Sequence, residues 1–77
     1  MSNKRLKSLR ADAFQYQSGR CYYCDLPMWL ASPVELGLKP GKARSFQCTA
    51  EHLVAQHDGG LDVSGNVVAA CFLCNFR

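Results

Sequence analysis

Apolar residues fall at helical spacing near the start of the chain. Leu6, Leu9, Ala13, Phe14 and Tyr16 recur near helical spacing, with basic residues largely between them. This pattern predicts an amphipathic helix over residues 3 to 17. Gly19 is its expected stop, because glycine takes the left-handed turn beyond a helix end without steric cost. Further along the period changes. Residues 46 to 54 (FQCTAEHLV) alternate weakly and predict a strand, and residues 66 to 70 (NVVAA) predict a second short one. His57-Asp58-Gly59-Gly60 and Ser64-Gly65 make residues 55 to 64 a loop. The two strands should therefore pair as a hairpin over about 46 to 70.

Residues 25 to 45 carry no sustained period, and Pro27, Pro33, Gly37, Pro40 and Gly41 break any long element. Ser32-Pro33-Val34-Glu35 can open a short helical turn, with proline at its first position. Trp29 and Leu30 are expected to pack against the first helix. For Trp29 a core role is favoured over stacking on a base.

At 77 residues the chain is one domain, residues 1 to 77. A chain this short buries about 60% of its unfolded surface and needs a staple. Five cysteines suggest what it is. Cys21-Tyr22-Tyr23-Cys24 and Cys71-Phe72-Leu73-Cys74 are two CxxC pairs, each putting two sulfurs on one side of a tight turn. Met1 to Arg10 is polar and basic, unlike a secretory leader. No stretch approaches the roughly 18 apolar residues of a membrane span. The expected setting is intracellular and cytoplasmic, away from membranes, where CxxC pairs favour metal over disulfide. A redox CxxC would want a βαβ pattern around it, and none is visible.

Cys21, Cys24, Cys71 and Cys74 thus form the expected tetrahedral zinc site, closing a loop over residues 25 to 70. A rival set, Cys21 and Cys24 with His52 and His57, would leave residues 25 to 51 between the pairs, against about 12 in a finger. It would also strand Cys71 and Cys74. Cys48 lacks a partner at CxxC spacing and is expected to be a buried free thiol.

Charge adds one ambiguity. The net charge is +3, and four of the nine basic residues, Lys4, Arg5, Lys7 and Arg10, lie in the first ten positions. Arg20, Lys39, Lys42 and Arg44 follow. Such a distribution suits either a solvated basic face or a phosphate-binding surface.

Glu51, His52, Asn66 and Asn75 are further candidates, although singly Glu51, His52 and Asn75 read as ordinary surface or hydrogen-bonding residues and Asn66 as a turn residue before a strand. Adjacent residues of a strand point to opposite faces, so Glu51 and His52 share a site only if the strand twists or ends there. His57 reads as an exposed loop histidine, with contact to a phosphate or metal as the alternative.

Taken together, E51-H52-L53-V54-A55-Q56-H57-D58-G59-G60 and N66-V67-V68-A69-A70-C71-F72-L73-C74-N75, with G19-R20-C21-Y22-Y23-C24 upstream, resemble the HNH endonucleases. The resemblance spans about residues 19 to 75. It implies a small α+β, zinc-stapled ββα-metal fold preceded by an N-terminal helix. The activity it implies is metal-dependent hydrolysis of phosphodiester bonds in nucleic acid, with double-stranded DNA the expected partner. By position, His52 would be the general base, and Glu51 and Asn75 would hold a magnesium or manganese ion. Asn66 would secure the loop that orients His52. Activity is then expected to fall below about pH 6, as a free imidazole gains its proton. The sequence departs from the family pattern in having Glu51 where aspartate is commoner. The family's helix also usually continues for two or three turns beyond CxxCN, whereas only Phe76 and Arg77 follow Asn75. A non-catalytic zinc module that binds nucleic acid or a protein partner is the competing expectation.

Overall fold

The apolar stripe near the start of the chain forms α1 (Lys4–Tyr16). The computed structural model describes residues 4 to 77, so position 3 of the expected helix lies outside the described residues. The helix ends where glycine predicts. Gly19 sits at φ 74 and its N–H donates to the Phe14 carbonyl at 2.8 Å. The chain then doubles back tightly: Cys21 N–H reaches the Leu26 carbonyl at 2.9 Å, and Asp25 takes a left-handed φ of 64.

The proline-broken middle contains only short turns. A 3-10 turn at Pro33–Leu36 opens on a reciprocal cap between Ser32 and Glu35. The Glu35 carboxylate accepts N–H bonds from Leu30 and Ala31 at 2.8 Å and from Ser32 at 3.0 Å. Those bonds hold its carboxyl below the ordinary value. A single turn of helix, α2 (Pro40–Ala43), and another 3-10 turn, Arg44–Phe46, lead into the hairpin. Leu30 packs against the buried core. The Trp29 indole N–H donates to the Ala43 carbonyl at 2.7 Å, and its backbone bridges Gln47 in parallel. Trp29 therefore ties α2 to the start of the hairpin.

The hairpin pairs β1 (Cys48–His52) with β2 (Val67–Cys71) antiparallel, with Cys48 opposite Cys71, Ala50 opposite Ala69 and His52 opposite Val67. β1 is shorter than its alternation predicts. Phe46 is absorbed into the preceding turn, and Val54 gives its N–H to the Asn66 side chain instead of to a strand. Asn66 for the same reason precedes β2. β2 runs straight into α3 (Phe72–Asn75).

Cys21, Met28, Cys48, Ala69, Ala70 and Cys71 form the buried core, with Ala13, Phe14, Leu30 and Cys74 against it. Ala69 and Ala70 are fully buried, and residues this small let α1 lie close to β2. The end of the helix exploits that proximity. The Gln17 amide accepts from Ala69 N–H at 2.9 Å and donates to Ala69 C=O at 2.8 Å. Directly across the hairpin, the Asn75 amide N–H donates to the Ala50 carbonyl at 3.2 Å. The result is an α+β arrangement of helices and a two-stranded antiparallel sheet. No helix among the described residues is long and apolar enough to cross a membrane.

Candidate functional site

Two clusters of chemistry sit at opposite ends of this hairpin. At one end the tight turn after α1 and the junction of β2 with α3 bring Cys21, Cys24, Cys71 and Cys74 together, their sulfurs all within 4.8 Å of one another. The Cys24 and Cys71 sulfurs are 3.9 Å apart, and all five cysteines are free thiols. An edge of about 3.8 Å is what a tetrahedron of sulfurs has around an ion with bonds of about 2.3 Å. The four thiols could therefore hold a metal ion. Among the described residues they form the one such group of three or more histidine, cysteine or acidic side chains. The rival set with His52 and His57 is not assembled.

Electrostatics at the cluster are uneven. Burial works against ionising Cys21, but N–H groups of Cys24, Cys71 and Tyr23 directed at its sulfur outweigh it and bring the thiol down to about 6. Burial pushes Cys71 up, and pushes Cys74 up to about 12 with added resistance from the neighbouring sulfurs. A bound cation would favour the thiolate at all four positions. Cys48 stands apart as a buried thiol, 1% exposed, which burial pushes up to about 11.

At the other end β1 stops at His52. The His52 Nε2 lies 2.6 Å from Asp62 Oδ1, and the two side chains are 13% and 24% exposed. Gln56 donates to the same carboxylate oxygen at 3.1 Å. Arg5, from the first turn of α1, donates to the Asp62 backbone carbonyl at 2.7 Å. Asn66 stitches the intervening loop. Its amide oxygen accepts from Val54 N–H at 2.7 Å, and its amide nitrogen donates to the Val54 and Leu61 carbonyls at 3.0 Å each. The Gly-Gly pair serves the same loop. Gly59 adopts φ 91 to end the turn Gln56–Asp58, and a Cβ on Gly60 would stand 1.7 Å from the Val54 carbonyl oxygen. His57 is exposed in that turn, 3.5 Å from Asp58.

Glu51 and Asn75 belong to a different face. Asn75 donates to the Thr49 hydroxyl at 3.0 Å, and Thr49 in turn donates to the Ala70 carbonyl at 2.6 Å. Because the Ala50 carbonyl can only accept, the Asn75 nitrogen must face β1 and its Oδ1 must point away. Thr49 and Glu51 share one face of the strand by alternation, and His52 takes the other. Glu51 accepts a hydrogen bond from the Tyr23 hydroxyl at 3.0 Å. Burial and then this carboxylate push the Tyr23 hydroxyl above its ordinary value. Among the described residues no hydrogen bond or ion pair joins Glu51, His52 and Asn75 to one another.

The basic residues divide as well. Lys7, Arg10 and Arg44 line a groove of about 450 Å³ with Thr49, Phe72 and Phe76. The Arg44 guanidinium stacks 4.6 Å over the Phe72 ring, while Arg10 Nε is buried without a partner. Arg20 instead braces the tight turn through the Asp25 carbonyl at 3.0 Å.

Sequence reasoning missed Asp62, Thr49 and Tyr23, which bond to His52, Asn75 and Glu51 in turn, and Gln56, which bonds to Asp62. Asp62 and Gln56 lie in a loop without periodicity, and nothing in their spacing from His52 announces the contact. Tyr23 carried a signal: it stands inside the first CxxC pair. No protein-family model, curated protein or solved structure matches the chain.

Proposed function

We propose that the chain is a metal-dependent endonuclease of the HNH type, hydrolysing phosphodiester bonds in DNA on a fold stapled by zinc. The observation that carries this reading is the behaviour of Asn66. The resemblance assigns it the loop behind His52, and its side chain makes three hydrogen bonds across that loop. Zinc suits four thiolates at this spacing. In the proposed reaction His52 takes a proton from the attacking water as general base. Glu51 and Asn75 would supply a carboxylate and an amide oxygen to a magnesium or manganese ion, since such donors suit hard cations. When bound, that ion would offset charge at the phosphate. Lys7, Arg10 and Arg44 would hold the backbone of the nucleic acid by charge.

A second reading, a zinc module that binds nucleic acid or a protein without cutting, has its own support. The Glu51 carboxylate is engaged by Tyr23, and His52 and Asn75 lie in separate hydrogen-bond networks. A supercoiled-plasmid nicking assay with magnesium, manganese or EDTA separates the two. The nuclease nicks with either ion and stops in EDTA, and His52→Ala abolishes nicking while zinc content is unchanged. Retarded but uncut plasmid under every condition would select the binding module.

A further inference from the structure

We propose that Asp62 is a positioning residue for His52, fixing its proton on Nε2 so that Nδ1 presents the lone pair to the attacking water. This inference rests on the nuclease reading. It starts from one distance, 2.6 Å between His52 Nε2 and Asp62 Oδ1. An ionised carboxylate has no proton to give, so in the neutral imidazole the shared proton sits on Nε2. Nδ1 is then the acceptor, and it makes no hydrogen bond among the described residues. The ring nitrogen that can accept a proton is thereby chosen by a partner on the opposite side of the ring.

The carboxylate and the main chain that carries it are both held. Gln56 Nε2 donates to the oxygen that faces His52, at 3.1 Å. Arg5 of α1 clamps the Asp62 main chain at 2.7 Å, and Asn66 holds the neighbouring Leu61 carbonyl at 3.0 Å. A surface ion pair would need none of this support. Gln56 holds the carboxylate oxygen beside the imidazole nitrogen, while Arg5 and Asn66 hold the main chain beneath it. His52 is also the last residue of β1, so the strand fixes its backbone while Asp62 fixes the rotation of its ring.

The test uses zinc-loaded protein labelled with ¹⁵N at histidine, read by NMR above the imidazole titration, beside the nicking assay. In the parent, His52 should show a proton on Nε2 that exchanges slowly with solvent, and an unprotonated Nδ1. In Asp62→Ala that protected proton should vanish, with kcat for nicking down by about 10²-fold and KM unchanged. Should Asp62→Ala lose zinc, Asp62→Asn keeps the shape without the charge; its Nε2 proton should move upfield and its kcat should fall in the same direction. A proton found on Nδ1 in the parent, an Nε2 signal indifferent to both substitutions, or parental kcat in a zinc-loaded Asp62 variant would each overturn the proposal. If instead His52→Ala nicks like the parent, the nuclease reading fails and takes this role with it. The NMR signature would still report the pairing, so the two failures are told apart.

Discussion

The two ends of the hairpin are built on opposite principles. At the end where Cys48 faces Cys71, both residues are buried and the surroundings are sulfur and small apolar side chains. At the end where His52 faces Val67, the loop is held by side-chain amides, a carboxylate and a guanidinium. Each interaction at the loop end is a hydrogen bond of about 1 kcal/mol net, and none depends on a bulky core. The difference separates stability from chemistry: the sulfur end can carry the fold, leaving the loop end free to present polar groups at defined angles.

The hardest blow to this division would be removal of the metal proposed for the four thiols. With so small a core, binding free energy at four thiolates is folding free energy. Chelation, or Cys71→Ser, should therefore unfold the whole domain, seen as loss of helical circular dichroism together with zinc release. A chain that stays folded without metal would show that the sulfur end is not the anchor. Next comes His52→Ala at the loop end, expected to cost about 10²- to 10⁴-fold in nicking with the melting temperature nearly unmoved. A large fall in melting temperature would mean that the loop end carries stability after all. Gly60→Ala lies between these cases. Its new Cβ would meet the Val54 carbonyl oxygen at 1.7 Å, so the loop must shift, at a cost of about 2 kcal/mol, with zinc content retained. Hydrogen exchange should place the added opening in residues 53 to 66 and leave β2 protected.

The smallest effect concerns Cys48. Burial raises its thiol from 9.0 to about 11, so the folded state resists its ionisation. The stability this gives is fully present below about pH 9 and is lost as pH rises through about 11. Alkylation by iodoacetamide at pH 8 should thus spare Cys48 in the zinc-loaded protein and reach it once the chain is unfolded. Rapid labelling of Cys48 in the folded state would contradict its burial.

How much of this was legible in the sequence follows from the range of each interaction. The helix, its glycine stop, the hairpin and the four-cysteine cluster all announce themselves through spacing, since period and CxxC turns are local. The free, buried Cys48 was legible by elimination. The ends of β1 were not, because Val54 exchanges a ladder bond for the side chain of Asn66, twelve positions on. The Trp29 indole N–H finds the Ala43 carbonyl, a partner that propensity cannot name. Asp62 is the clearest case: its tie to His52 depends on how the loop closes, and loop closure leaves no periodic trace.

One further consequence follows from the amides of Gln17 and Asn75. A lone two-stranded ribbon ordinarily offers two rows of unsatisfied backbone to any passing strand. Here the middle pair, Ala50 and Ala69, is bracketed on both flanks by side chains that imitate a neighbouring strand. Cys48 is covered on its flank by the Trp29 carbonyl. The side chains thus occupy, at the Ala50 carbonyl and at both backbone groups of Ala69, the positions that a third strand would bond.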